Sequence, residues 1–327
     1  MIKDIASHTS TNYLRDNSLE GLRLGTRKSE LALWQAQQVA NALEAKGLSV
    51  EIVAMSSQGD QNVKDPLHRM GITGIFTKVL DDALLADEID LAVHSLKDVP
   101  TQLPDGIVLG GVLSRGPAHD VLVHQGDIDF LGSAQTAVTI ATGSLRRRAQ
   151  WKRRFPQHEL VGLRGNVNTR LQKLADRGWQ GAIFAEAGLA RIHRLPPSHL
   201  RLDWMIPAPA QGIIGMACRE GDERVMTALT SLSHASTWSE AELERQFMRS
   251  LEGGCTAPIG AKAEVIGNRI DFRGVLLTPD GQEEVMLHTQ GDLAQASAKS
   301  WGEAWAKEAL GKGGADIMQQ IRRELNA

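Results

Sequence analysis

The chain has 327 residues, of which 42% are hydrophobic and 23% charged, and its formal net charge at pH 7 is −3. This length exceeds what a single hydrophobic core usually serves, so two or three domains are expected. The ordinary composition excludes a collagen-like or a globally disordered chain. Two cysteines, Cys218 and Cys255, are too few for a disulfide framework or a cysteine-rich zinc site, and they favour a reducing, cytoplasmic compartment.

The first 20 residues are polar and mixed in charge, and we interpret them as a flexible tail. They lack the apolar stretch of a signal peptide. No apolar run in the chain approaches the ~20 residues of a membrane helix, so no membrane association is predicted. The near-neutral net charge argues against a whole-surface polyanion binder but leaves room for a local basic site.

The first half of the chain alternates predicted strands and helices. Residues 22–25 indicate a strand, and Ala32, Ala36, Val39 and Leu43 then recur at helical spacing. Further strands are predicted at 50–55, 89–94 and 107–113, and a helix at about 76–86. After Pro117 the alternation restarts, with strands at 121–123, 138–142, 160–163 and 182–185 and helices at 145–155, 167–177 and 186–193. Such alternation predicts parallel sheets built from right-handed crossovers.

A Pro-rich stretch at 207–209 indicates a boundary, and residues 213–218 form one more predicted strand. Its return to the first sheet would make the link between the halves a double hinge. A helix at 240–251, strands at 262–266, 270–277 and 284–288 and two last helices indicate a small α+β domain. The predicted division is a tail (1–20), domain 1 (21–114 and 212–232), domain 2 (115–211) and domain 3 (233–327).

Positive charge is concentrated in residues 142–177, which hold eight arginines and two lysines against Glu159 and Asp176. Arginine binds carboxylate or phosphate through two parallel hydrogen bonds. Arg146 and Arg147 open a predicted helix directly after a strand, where the helix N-terminus also favours an anion. For any single arginine, a solvated basic face remains the alternative. Nucleic acid is a weaker candidate ligand, because no helix-turn-helix, zinc-finger or RNP signature accompanies these residues.

Two further segments carry reactive residues. Asp98 follows a predicted strand of an open α/β sheet, where ligands usually bind, and it is a candidate for proton transfer or for stabilising a cation. A helix cap or an ion pair with Lys97 is the alternative role. Cys255 follows two glycines, so its thiol is either a covalent attachment point or a small buried side chain. Dinucleotide, nucleoside triphosphate, zinc and Gly-x-Ser-x-Gly motifs are missing, and no metal site is predicted.

Six segments in order resemble the porphobilinogen deaminases, also called hydroxymethylbilane synthases. They are Thr26-Arg27-Lys28-Ser29, Ala92-Val93-His94-Ser95-Leu96-Lys97-Asp98-Val99-Pro100, Gly143-Ser144-Leu145-Arg146-Arg147, Leu163-Arg164-Gly165-Asn166-Val167-Asn168-Thr169-Arg170, Gln211-Gly212 and Leu251-Glu252-Gly253-Gly254-Cys255. The resemblance implies two similar hinged α/β domains of periplasmic-binding-protein type and a small C-terminal α+β domain. It also implies a cytoplasmic, monomeric transferase of haem biosynthesis that joins four porphobilinogen units into linear hydroxymethylbilane with loss of ammonia.

The family resemblance also implies the roles of individual residues. Asp98 is the implied catalytic residue, and Cys255 is the implied thioether link to a dipyrromethane cofactor. The implied cofactor contacts are Ser95, Lys97, Ser144, Arg146, Arg147, Arg164 and Arg170. The implied substrate contacts are Arg27, Ser29, Phe76, Arg164 and Arg170.

The chain departs from the family pattern at several places. Thr73 and Val79 replace a usual lysine and a frequent glutamate, Gly143 replaces a serine, and Pro209-Ala210 replace Val-Gly. Loss of the lysine removes one expected carboxylate partner. The alternative function is a hinged polycarboxylate-binding protein without catalysis, which would need the arginines but neither Asp98 nor Cys255. A DNA-binding regulator is a third hypothesis, which salt-dependent binding to a duplex would support.

Overall fold

The computed structural model describes residues 21–56, 77–132, 138–251, 257–295 and 300–325. The first of its sheets consists of β1 (Leu22–Arg27), β2 (Val50–Met55), β3 (Leu91–Ser95), β4 (Ile107–Val112) and β10 (Ile214–Arg219), in the order β2-β1-β3-β10-β4. Helices α1 (Glu30–Glu44) and α6 (Glu223–Leu232) pack on one face, and α2 (Lys78–Leu85) on the other. Successive residues of a strand face opposite sides, so Val93 joins the first core and Ala92 the second. We call this unit the first lobe.

The second sheet repeats this plan. It consists of β5 (Asp120–His124), β6 (Thr139–Ala141), β7 (Glu159–Val161), β8 (Gly181–Ala185) and β9 (His199–Arg201), in the order β7-β6-β8-β5-β9. Helix α3 (Leu145–Arg154) covers one face through the buried Trp151. Helices α4 (Val167–Asp176) and α5 (Glu186–Ala190) cover the other face through Leu174 and Leu189. This unit is the second lobe.

The two sheets are mixed: the predicted parallel pairing is confirmed for β1 with β2 and β3 and for β6 with β7 and β8, but it is wrong for one strand of each sheet. Strand β10 is antiparallel to β3 and β4, and β5 is antiparallel to β8 and β9. Strands β5 and β10 are each the first strand after the chain passes from one lobe to the other. Each therefore enters its sheet from the opposite end. The alternation of strand and helix patterns in the sequence does not encode that direction.

The third unit is the predicted small α+β domain. Its antiparallel sheet of β11 (Ile259–Ile266), β12 (Arg269–Leu277) and β13 (Glu284–Asp292) packs against α7 (Ala235–Ser250), α8 (Trp301–Ala309) and α9 (Ala315–Leu325). Phe272 lies at the centre of this core, with its ring 4.4 Å from that of Trp305 and 5.1 Å from that of Phe247. The predicted fold class is therefore confirmed. The exact domain boundaries stay a prediction.

The chain passes between the lobes twice, through an outgoing segment between β4 and β5 and a returning segment between β9 and β10. We call these two segments the crossings, and they run side by side. Gly116 in the outgoing segment donates its N–H to the carbonyl of Gly212 in the returning one (3.0 Å). Gly212 has a φ of 85°, and a Cβ there would lie 2.7 Å from the carbonyl oxygen of Gly116. Glycine is therefore required where the crossings meet.

The buried Glu244 of α7 connects both crossings to the third unit through hydrogen bonds. Its carboxylate accepts hydrogen bonds from Arg115 (2.6 Å), from the N–H of Ala210 (2.6 Å) and from the N–H of Ala263 in β11 (2.7 Å). Burial lowers the pKa of Arg115, but the charges and hydrogen bonds of Glu244 and Glu240 together outweigh burial, and the pKa is raised. The arginine is therefore charged, and one buried ion pair connects the crossings with the third unit.

Local predictions differ from the structure at a few helices and strands. Helix α6 and strand β9 were not predicted. Helix α7 begins at Ala235, five residues before the predicted start, because the ring of His234 accepts a hydrogen bond from the N–H of Thr237 (3.3 Å) and caps the helix. The N-terminal tail, Thr73, Phe76 and Cys255 lie outside the described residues.

Candidate active site

The first lobe places polar residues where β3 ends. A short 3₁₀ turn, Leu96–Asp98, follows Ser95 and puts Lys97 and Asp98 at the carboxyl end of the strand. Ser95 exchanges hydrogen bonds with Gln35 of α1, at 2.8 and 3.2 Å. Ligands of open α/β sheets bind at this end of the strands. The structure thus places the predicted catalytic aspartate at a ligand-binding position.

A cavity of about 70 Å³ opens beside this turn. Predicted site residues among its lining are Arg27, Ser29, Ser95 and Asp98. His94 also lines it, and burial, with a smaller contribution from the charge of Arg27, lowers the pKa of His94 to about 4. His94 is therefore neutral at pH 7. The positive charge in the lining of this cavity comes from Arg27.

The second lobe organises its arginines around a buried carboxylate that the sequence analysis did not single out. Asp120, the first residue of β5, accepts hydrogen bonds from Arg146 Nη1 (2.7 Å) and Arg147 Nε (2.9 Å). Arg146 also donates to the carbonyl of Ile206, and Arg147 to that of Ile183. Burial alone would raise the pKa of Asp120, but the two arginines lower it well below its usual range. The carboxylate of Asp120 is therefore ionised at pH 7, and we call Asp120, Arg146 and Arg147 the ion triad.

Serine caps orient both helices that face the cleft. Ser29 Oγ accepts a hydrogen bond from the N–H of Ala32 (3.3 Å), and Ser144 Oγ accepts one from the N–H of Arg147 (3.4 Å). Capping uses the oxygen as an acceptor, so each hydroxyl proton can still be donated to a carboxylate. The two predicted ligand serines thus have a structural role that is compatible with binding.

The predicted cations of the two lobes affect one another's charge. Burial, followed by the positive charges of Arg147, Arg164 and Arg27, lowers the pKa of Arg170 to about 10, and Asp98 opposes them. Electrostatic interactions weaken with distance, so these charged groups lie near one another. Arginines from both lobes therefore converge on the region that holds Asp98.

Three residues at this cleft were missed by sequence reasoning: Asp120, Gln211 and Arg191. Asp120 gave a weak signal, as an acid at the start of an apolar strand. Arg191 gave none, although it donates to the carbonyl of Gly212 (2.6 Å) and its guanidinium lies 5.7 Å from the ring centre of Trp34. Burial lowers the pKa of Arg191 to about 10. It links the second lobe to the crossing and to α1.

Other members of the basic segment point away from the cleft. Arg153 pairs with Glu284 of the third unit (3.1 Å), and Arg154 lies 5.0 Å from the ring centre of Trp204. Their contacts are between units or at the surface. The solvated or structural alternative therefore holds for these two arginines.

Of the two cysteines, only Cys218 belongs to the described residues. Cys255 lies outside the described residues, a few positions beyond the end of α7. Cys218 is buried in β10, and burial raises the pKa of its thiol to about 11. A thiol of that pKa is almost entirely protonated at pH 7, so Cys218 is a poor nucleophile.

Departures from the family pattern have local explanations where they are described. A Cβ on Gly143 would collide with the carbonyl oxygen of Leu163, so the backbone here has closed in around a glycine. Val79 packs against the α2 core of the first lobe. Ala210 has a φ of 61°, a conformation that favours glycine. None of these changes removes a predicted ligand from the described part of the cleft.

The charge balance of the cleft fits a cofactor with several carboxylates. Burial, as the largest cause, and the neighbouring arginines lower the pKa of Lys97 to about 8 and that of Arg170 to about 10. Among the described residues, the Nε of Arg146 is buried without a hydrogen-bond partner. Bound carboxylates would relieve the repulsion and supply acceptors. The residues present therefore fit a dipyrromethane with acidic side chains.

Two other kinds of site are absent from the described ranges. No group of three or more His, Cys, Asp or Glu residues is arranged to hold a metal ion. No helix there combines the length and the apolar character needed to cross a membrane.

The described residues form a two-lobed α/β protein with arginines and an aspartate at the carboxyl ends of its strands. Residues 22–227 match the family model described as "Porphobilinogen deaminase, dipyromethane cofactor binding domain", and residues 238–311 match its "C-terminal domain". Among curated relatives, a porphobilinogen deaminase of Syntrophomonas wolfei is 37% identical, covering 93% of this chain and 100% of that protein. One from Rubrobacter xylanophilus is 39% identical, covering 92% and 97%. The chain belongs to the porphobilinogen deaminase family.

Membership identifies the chain as a transferase with a dipyrromethane cofactor-binding domain, as predicted, rather than as a polycarboxylate-binding protein without catalysis. Among solved structures, the methionine-binding protein MetQ overlaps with a TM-score of 0.42 at 15% identity, covering 69% of this chain and 94% of that one. So low an overlap carries no weight in the assignment, which rests on the family models and the curated relatives.

Proposed function

We propose that this chain deaminates porphobilinogen and joins four such units head to tail into the linear tetrapyrrole hydroxymethylbilane. The observation that carries the proposal is the convergence of arginines from both lobes on the region of Asp98. Each unit brings an acetate and a propionate, so a growing chain adds two carboxylates at every step. A cleft with excess guanidinium groups suits that product.

The dipyrromethane, bound by a thioether to Cys255, would supply the primer to which the first substrate unit is joined. The proposed side chains that hold it are Ser95, Lys97, Ser144, Arg146, Arg147, Arg164 and Arg170. Arg146 and Arg147 are already fixed by Asp120, and each guanidinium has five N–H donors. Fixed guanidiniums lose little entropy on binding a carboxylate, which makes them suitable for a permanent ligand.

The proposed substrate contacts are Arg27, Ser29, Arg164, Arg170 and Phe76. Arg27 and Ser29 line the cavity beside Asp98. A substrate whose carboxylates pair with Arg27 and the hydroxyl of Ser29 would have its aminomethyl group within the same cavity. This positions the leaving ammonia near the carboxylate of Asp98, which lines the cavity.

We propose Asp98 as the catalytic residue. When the C–N bond of porphobilinogen breaks in the ammonium form of its aminomethyl group, ammonia leaves with the bonding electrons and a cationic methylene-pyrrolenine remains. The free α-carbon of the previous ring attacks this cation. The carboxylate of Asp98 would stabilise this cation and accept the proton that is lost when the new C–C bond forms. The charges of the neighbouring arginines would be neutralised by the substrate carboxylates.

We further propose a monomer in the cytoplasm. The large apolar side chains exposed in the described ranges lie singly on different elements: Leu33, Leu85, Ile266 and Met286. Scattered single residues do not form an association surface. An unoxidised thiol, needed to attach the cofactor, suits a reducing compartment. Light scattering should give the mass of one 35.5 kDa chain; twice that mass would contradict the monomer.

Substitution of Asp98→Asn tests the proposal. The amide keeps the shape but cannot take a proton or carry a charge, so turnover of porphobilinogen should fall by about 10²-fold or more. The attached cofactor, measured by intact mass, should remain. Asp105→Asn, at an exposed position, is the matched control and should retain full turnover. Near-normal turnover of Asp98→Asn would reject the assigned role.

A further inference from the structure

Gln211 is a buried amide that contacts both lobes from within the returning crossing. Its Nε2 donates to the carbonyl of Ala118 (2.8 Å) and to Oδ1 of Asp120 (2.9 Å). Its Oε1 accepts a hydrogen bond from Nζ of Lys97 (3.2 Å). One side chain therefore connects the lysine of the first lobe with the carboxylate of the second.

These contacts fix the orientation of the amide. A carbonyl and an ionised carboxylate can accept but not donate, so the amide NH₂ must face Ala118 and Asp120. The amide oxygen is then directed at Lys97, and a flipped amide would place two acceptors in contact. The fixed oxygen favours the ammonium form of Lys97, which always has a proton to donate.

Lys97 needs such support because of the charges around it. Asp98 and Asp120 favour its ammonium form, and Arg147 and Arg146 oppose it. Burial is the largest effect, and together these groups lower the pKa of Lys97 to about 8. The ammonium form is thus favoured at pH 7 by a narrow margin, and a lost hydrogen bond would move the balance measurably.

We infer that Gln211 is a positioning residue, which keeps the Lys97 ammonium charged and oriented in the cleft and ties it to the carboxylate that fixes Arg146 and Arg147. The inference rests on the proposed role of Lys97 as a cofactor contact. Because Gln211 precedes Gly212, where the crossings meet, the spacing between Lys97 and Asp120 is set at the hinge itself. The cations of the two lobes then present one surface to the cofactor.

Two substitutions at this position test the inference because they should act in opposite directions. Gln211→Met removes the acceptor, and Gln211→Glu replaces it with an anion. The probe is competitive labelling of the full purified chain with acetic anhydride across pH, with the Lys97 peptide quantified by mass spectrometry. The midpoint of that curve reports proton loss independently of how accessible the amine is.

The Met variant should move the Lys97 midpoint to lower pH and raise its labelling at pH 7 by about 3- to 10-fold, and the Glu variant should lower labelling by a similar factor. Lys173, which donates to the carbonyl of Arg164, is the internal reference and should not change. Gln172→Met and Gln172→Glu are matched controls, since Gln172 is an exposed amide that also donates to an aspartate, Asp176 (2.8 Å).

Unchanged midpoints, or shifts of the same sign in both variants, would overturn the inference, because general loosening raises labelling in both. If repulsion from Asp120 prevents the Glu variant from folding, the Met variant decides alone.

Lys97→Gln separates the proposed function from this inference. Loss of the covalent addition from that variant supports Lys97 as a cofactor contact. Its retention would refute that contact and with it the functional part of the inference, while the labelling result still decides the coupling to Gln211.

Discussion

The two lobes share one strand order but place different chemistry at equivalent positions. In the first lobe Ile214 begins β10 and pairs with Ser95, the last residue of β3. In the second lobe Asp120 begins β5 and pairs with Ala185, the last residue of β8. The same register therefore holds an isoleucine in one lobe and a buried carboxylate in the other.

The arginines that bind this carboxylate follow the same rule. Counted from the serine caps, Arg146 and Arg147 of α3 correspond to Leu31 and Ala32 of α1. The second lobe thus has an ion triad where the first has apolar residues. Apolar replacements of buried ion triads are often neutral or stabilising, so the fold itself does not require these charges. We attribute them to the ligand.

Among the substitutions that test this difference between the lobes, Asp120→Asn should have the largest effect on stability. The substitution leaves two buried guanidiniums without their anion, which typically costs about 3–5 kcal/mol in the free energy of unfolding. Urea denaturation at pH 7 measures it, with the exposed Asp203→Asn as the control that should change stability by less than about 0.5 kcal/mol. Equal stability of the two variants would mean that the triad is not a structural unit.

A pH-dependent difference between the lobes comes from β3. His94 stands at the register of Phe184 in β8, and the folded-state pKa of His94 is about 4 against 6.5 when unfolded. Its neutral form contributes stability that is complete above pH 6.5 and is lost as the pH falls towards 4. The stability advantage of the wild type over His94→Gln should therefore shrink by up to about 3 kcal/mol between pH 7 and pH 4. A constant difference in urea titrations would contradict this.

Converting the second lobe to the pattern of the first sharpens the comparison. The triple variant Asp120→Ile, Arg146→Leu, Arg147→Ala removes all three charges together. It should recover at least about 2 kcal/mol relative to Asp120→Asn, because no unpaired charge stays buried. Its intact mass should lack the cofactor. A triple variant that remains loaded would show that the triad does not serve the ligand.

The smallest effect concerns the segment that joins the lobes. Ala210 has a left-handed conformation, so Ala210→Gly should relieve strain and stabilise the chain by about 0.5 kcal/mol after the entropy of the unfolded glycine is counted. The same substitution at Ala45, where φ is −62°, should destabilise the chain instead. Thermal unfolding of both variants gives the two signs, and equal signs would refute the strain.

Prediction from sequence succeeded where information is local. Apolar spacing located α1 and β3, and the strand end at Ser95 placed Asp98 at a ligand-binding edge. Helix α6 was missed, although Asp222 caps it and Val225 and Leu229 follow at helical spacing. The direction of β5 and β10 depends on where the chain crosses between the lobes, which no local pattern records.

The site was predictable in its composition but not in its internal pairing. The arginine-rich segment indicated a carboxylate or phosphate ligand, and the resemblance assigned residues to a carboxylate ligand. The role of Asp120 was hidden, because its partners lie 26 and 27 positions away in sequence. Gln211 was equally hidden, since its contact with Lys97 spans 114 positions. Long-range contacts of buried polar groups require the fold.

The central claim is that the cleft serves a dipyrromethane attached to Cys255. Intact mass under denaturing conditions tests it most directly, on the wild type, Cys255→Ser and the control Cys218→Ala. A covalent addition equal to two condensed pyrroles should appear in the wild type and in Cys218→Ala, whose buried thiol is inert. It should be absent from Cys255→Ser. A wild-type chain that stays unmodified after incubation with porphobilinogen would contradict the account.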